Sequence, residues 1–342
     1  MVDVSLIDIK KGFTQSSKKY RPDKCIICGK VNPKFCNSHS VPRFVLKNIT
    51  DNGMITQSIL LISDNAVNLV ADKKGIRNTG TFHNICVECD GKVFSDYEDP
   101  IAIKRKPNMK LLLEIAIKNT LFSIEKKYLE KGVNEYTKET FGALQPLEEY
   151  YKYDWNDMWS RLLRLKKALI NKRKIEFELL FWAKLDYVVP IACQEEIVLI
   201  ADLEGHVIND VFDKDLRHKM QCLNLCIYPL DDCSVVMLFV DKSYTKYKPF
   251  SKQFNEKDFD TKLSIINYIV LSLTEDYYIY PNIKNDIFKN NSMKQICSDL
   301  HLVHSDFAGN IDPKDSSHLL CLLKNRMKIP NLLSKKYAIK QY

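Results

Sequence analysis

The 342-residue chain is 45% hydrophobic and 27% charged, an ordinary globular composition that excludes wholesale disorder, and its 10 glycines and 12 prolines exclude a collagen-like or low-complexity chain. Domains usually run to about 100–200 residues, so the length predicts two, or one with a large appendage. The formal charge of +8 is mildly basic and suits a polyanionic partner without demanding one.

The first residues, MVDVSLIDIKKG, hold no apolar core of signal-peptide length. Apolar stretches such as Ile265 to Leu273 fall far short of the ~20 residues that span a bilayer. A soluble, cytoplasmic protein with no membrane partner is expected. The 11 cysteines are odd in number and scattered, which in a reducing compartment makes them thiols or metal ligands rather than a disulfide framework.

Three zones follow one another. Residues 1–105 are rich in Cys, His, Asn and Gly and are expected to form a small metal-binding domain. Basic character gathers here: residues 1–50 carry ten Lys/Arg against three Asp/Glu, and Lys104, Arg105 and Lys106 close the zone. Residues 106–174 read as a helical connecting region. MKLLLEIAIKNTLFSIEKKYL and DWNDMWSRLLRLKKALINKR both place apolar residues at i, i+3 and i+4, with Asn134, Thr137 and Pro146 in the loops between.

Residues 175–342 change to strand texture. Phe177 to Leu185, Tyr187 to Leu203, Val207 to Phe212, Leu223 to Pro229 and Ser234 to Asp241 are β-branched or aromatic runs. Turn signals at Glu204-Gly205 and Asp231-Asp232 predict an antiparallel meander. A helix over about 258–274, a short strand in DYYIYP and a helical tail complete the zone. Strands in a block followed by helices predict an α+β class: a separate antiparallel-sheet domain with packed helices. No catalytic motif lies in it, so recognition of a protein partner or an activating ligand is its default role.

The sharpest signal is Cys25-x-x-Cys28 with Cys86-x-x-Cys89. Two such pairs can wrap one tetrahedral Zn²⁺ through four thiolates. Gly29, just behind the first pair, can take the positive φ that a knuckle requires. The 57 residues between the pairs imply an insertion between two knuckles. The alternative is two unrelated pairs of buried thiols, and Cys36 competes as a ligand.

Two further segments frame the second pair. N-S-H-S-V-P-R-F holds Ser38, His39, Pro42 and Arg43, and F-H-N-I-C-V-E-C-D-G-K holds Asn84, Asp90 and Lys92. The order CxxC, His-x-x-Pro, Asn-x-CxxC-Asp resembles the zinc-stapled HNH nucleases, the treble-clef branch of the ββα-metal endonucleases, over roughly residues 20–100. A looser likeness extends to uncharacterised bacterial HNH-like proteins with an α+β extension.

The resemblance implies a small treble-clef, ββα-metal domain with a structural Zn²⁺ at its cysteines. It makes His39 the general base, Asp90 a ligand of a catalytic Mg²⁺ or Mn²⁺, and Asn84 the residue that orients the imidazole. Arg43, Lys92, Lys104, Arg105 and Lys106 would meet phosphates. The implied function is metal-dependent hydrolysis of phosphodiester bonds in DNA, in the setting of bacterial defence against foreign DNA. The alternative is a non-catalytic zinc-binding module that holds nucleic acid or a protein. Ser38 separates the two readings, because the family usually has a metal-binding Asp or Glu there. Asp90 stands where the family usually has His or Asn, and a first-turn acid complementing the helix dipole would serve equally well.

Overall fold

The β-branched runs after residue 175 become strands buried on both faces. Every residue of LNLCIYP (Leu223–Pro229) and SVVMLFVD (Ser234–Asp241) is buried. That pattern belongs to a sheet sandwiched between two apolar layers. The computed structural model describes residues 22–141, 148–170, 174–210, 217–274, 276–283 and 328–341, apart from residues 64 and 65, and positions 11, 14–16, 19, 20, 215, 287 and 290–293 beyond these.

In chain order the elements are β1 (Ser38–His39), α1 (Arg43–Leu46), β2 (Met54–Ser63), β3 (Ala66–Gly75), β4 (Thr81–Phe82), α2 (Val87–Val93) and α3 (Pro100–Ile103). Two long helices follow, α4 (Met109–Phe141) and α5 (Glu148–Leu169). Then come β5 (Phe177–Leu185), β6 (Tyr187–Val188), β7 (Ile191–Ile197), β8 (Leu223–Pro229), β9 (Ser234–Asp241), α6 (Lys248–Asn255), α7 (Phe259–Leu273), β10 (Tyr277–Ile279) and β11 (Lys340–Gln341). Helices and antiparallel strands mix as an α+β chain should. Among the described residues, no helix is long and apolar enough to cross a membrane.

The main sheet has seven strands in the order β3-β2-β10-β7-β8-β9-β5, every pairing antiparallel. Its composition corrects the expected division into 1–105, 106–174 and a separate sheet domain at 175–342. β2 and β3 come from the insertion between the two cysteine pairs. β2 pairs with β10, placing Thr56 opposite Ile279 and Gln57 opposite Tyr278. The three-residue β10 is thus held on both sides, and the sheet is continuous with the zone that carries the cysteine pairs.

Alternation along the strands sorts two cores. Val236, Leu238 and Val240 of β9 pack with α6 and α7 through Phe250, Phe254, Leu263 and Ile266. Val235, Met237 and Phe239 of the same strand face α4, α5 and the cysteine zone. A buried polar cluster fixes α4 on that second face: Gln194 donates to Asn119 at 2.8 Å, and Asn119 donates to Asn224 at 2.9 Å.

Other departures are local. The run from Tyr187 breaks at Pro190, which cannot donate to a ladder, so β6 turns away to pair with β11 while β7 enters the main sheet. Val207 makes only an isolated bridge to Ala201. α4 continues through Asn134 and Thr137, where loops were expected. Each costs only a few tenths of a kcal/mol in a helix, which packing easily overrides. Phe212, Pro146 and most of the expected helical tail lie outside the described residues. The helix expected over 258–274 forms as α7, with Asp258 capping it by accepting from the Thr261 amide at 2.9 Å.

Candidate metal centre and the adjoining ββα site

Each cysteine pair is shaped by its own backbone. The first forms a tight knuckle: the Gly29 amide donates to the Cys25 carbonyl at 2.8 Å and the Cys25 amide to the Lys30 carbonyl at 3.0 Å. Gly29 closes the turn at φ +75°, a conformation that disfavours any side chain. In the second pair, Cys86 is the N-cap of α2 and its sulfur accepts from the Cys89 amide at 3.4 Å.

The two knuckles are brought face to face. Ile26 donates its amide to the Asn84 carbonyl at 3.0 Å, and the Cys86 amide donates to Cys25 Sγ at 3.3 Å. The sulfurs of Cys25, Cys28, Cys86 and Cys89 all lie within 4.8 Å of one another, with Cys28 and Cys86 3.8 Å apart. Four sulfurs at about 2.3 Å from a tetrahedral ion would stand about 3.8 Å from each other. The four cysteines can therefore hold one metal ion, and the donor set suits structural Zn²⁺. The Lys30 amide pulls the Cys28 thiol down to about 7, and burial pushes Cys25 and Cys89 up. Cys36 stands apart from this set: its thiol donates to Asp90 at 3.1 Å, and burial drives it up to about 12.

Beside the cysteines, β1, β4 and α2 make a ββα unit. Ser38 pairs with Phe82 and His39 with Thr81. His39 and Asp90, the expected base and ligand, do enter this unit. His39 is half-buried, and its Nε2 lies 3.0 Å from the Ile76 carbonyl. A carbonyl only accepts, so Nε2 carries the proton and Nδ1 remains the acceptor. Burial holds the imidazole below its ordinary value.

Asp90 is wrapped by donors. Ser38 Oγ reaches its Oδ1 at 2.7 Å, and Lys118 Nζ of α4 reaches the same oxygen at 2.8 Å. Burial alone would raise this carboxyl, but the Lys118 charge and the bonds from Lys118, Ser38 and Cys36 hold it below the usual range. Ser38, at the position where the resemblance calls for an acid, is thus a hydrogen-bond donor to Asp90.

Other expectations are corrected. Asn84 does not orient His39. It is fully buried and its amide donates to the Leu121 carbonyl of α4 at 2.8 Å, so it braces the knuckles against that helix, and the Ile76 carbonyl holds the imidazole instead. Lys104 is held at 2.7 Å by both Asp231 and Asp232 in the β8–β9 turn, which satisfies its charge inside the chain. Lys92 pairs with Glu88 at 2.8 Å on the surface of α2. Arg43, Arg105 and Lys106 are exposed.

Lys118 escaped the sequence reading. Glu114 and Lys118 stand four apart in the apolar run LLLEIAIKNTLF, and such a row reads as the solvent face of a helix. In the fold it points at the ββα unit, and both residues are fully buried. No protein-family model, curated protein or solved structure matches this chain.

Proposed function

We propose that this chain is an HNH-like protein whose zinc-stapled, treble-clef unit binds the phosphate backbone of DNA. The observation that carries the reading is a set of exposed cations on α1 and on the turn that packs against it, next to His39. Arg43 opens α1, Lys47 follows it, and Arg77 lies in the turn 76–78 that packs on α1. All three are exposed and make no ion pair among the described residues. A basic surface on a rigid, metal-stapled unit is suited to phosphates, and each contact would release counterions.

Hydrolysis is a second reading, favoured by His39: a neutral imidazole pinned through Nε2, which leaves Nδ1 as the acceptor, has the form of a general base.

The test is anisotropy of a labelled DNA duplex across a salt series, beside plasmid nicking with Mg²⁺ or Mn²⁺. Salt-sensitive binding is expected, and Arg43→Ala and Arg77→Ala should each reduce the slope of log K against log salt by about 1. Absence of binding at low salt would sink the proposal. Nicking that His39→Ala abolishes would promote hydrolysis over binding alone.

A further inference from the structure

Lys118 is a charged group in an unusual place. Its side chain is wholly buried, with Nζ 2.8 Å from Asp90 Oδ1 and 3.6 Å from Glu98 Oε1. Three rings surround it, their centroids 4.2 Å (Phe94), 5.1 Å (Tyr97) and 5.8 Å (Phe82) from the ammonium. Burying an ammonium is strongly unfavourable unless carboxylates and ring faces replace its water, and both do so here.

The groups that converge on Asp90 complete the picture. Ser38 Oγ and the Cys36 thiol donate to it at 2.7 and 3.1 Å. Asp90 and Glu98 bring two carboxylates to one point, with Ser38 and Cys36 holding Asp90 in place, and paired carboxylates of this kind are ligands for a divalent ion. That point is filled by a cation tethered to α4. The geometry points to Lys118 as the resident cation of this site: its ammonium stands in for a divalent ion, and the site needs none. The inference is separate from DNA binding, which can fail with this one intact.

The experiment measures thermal unfolding of the zinc-loaded full chain with and without Mn²⁺, for wild type, Lys118→Met and the double variant Lys118→Met/Asp90→Asn. Zinc content is followed in each, so that Mn²⁺ entering the cysteine site is recognised. Mn²⁺ should leave the wild-type midpoint unmoved. Lys118→Met should melt lower, because the carboxylates lose their cation, and Mn²⁺ should raise it by several degrees. Asp90→Asn on top should abolish that rise. The inference is overturned if Mn²⁺ stabilises wild type through Asp90, or if Mn²⁺ has no effect on Lys118→Met, whether that variant folds alone or not.

Discussion

His39 shows how a single residue reports its surroundings. Burial favours the neutral imidazole, so as pH falls the unfolded chain takes up a proton before the folded one does. Stability therefore rises with pH through the window just below the ordinary histidine value of about 6.5. In His39→Gln the carboxamide can still donate to Ile76, but nothing titrates. The difference in unfolding free energy between wild type and this variant should narrow on acidification; a difference independent of pH would contradict the burial argument. That His39 and Asp90 lie beside the cysteine pairs was legible in the sequence, because the His-x-x-Pro and CxxC-Asp spacing marks them. Their environment was not. Lys118 sits 28 residues beyond Asp90, in a helix whose charged row looks like an ordinary wet face.

At the scale of elements, the β2–β3 hairpin decides how the two ends of the chain meet, and its role was hidden. The sequence implied an insertion between the knuckles, but strand pairing is non-local and nothing near Thr56 marks Ile279 as its partner. The runs that became β5, β8 and β9 were legible because sheet interiors demand β-branched and aromatic residues on both faces.

Gly80 is where the hairpin side of the chain closes against β4. It sits at φ +61°, its carbonyl accepts from the Ser40 amide at 2.8 Å, and a Cβ there would run into the Tyr278 hydroxyl and Ser40 Oγ. Tyr278 is wholly buried on β10 and has little room to give. Gly80→Ala should cost the about 1–2 kcal/mol of a left-handed residue plus the overlap. A urea midpoint equal to that of wild type would show that β10 is not held in this way.

For the whole molecule, the continuous sheet and the shared second core predict that the chain does not divide at residue 175. Met237, Phe239 and Val235 are covered by α4, α5 and the cysteine zone. Each large apolar side chain uncovered forfeits about 1.5–3 kcal/mol, and β10 also loses β2. A fragment of residues 175–342 made alone should lack cooperative unfolding. A stable, well-dispersed fragment would mean that the shared core is incidental.

A metal ion held by the four cysteines would fix this arrangement. Two knuckles 57 residues apart in sequence carry the hairpin between them, and apparent zinc affinities in small domains, worth about 10–16 kcal/mol, would lock its base. Native mass spectrometry with elemental analysis tests it most directly. The predicted result is one zinc per chain, lost with a large drop in stability in both Cys25→Ser and Cys86→Ser. A folded chain without zinc, or one that keeps its zinc in either variant, would contradict the account.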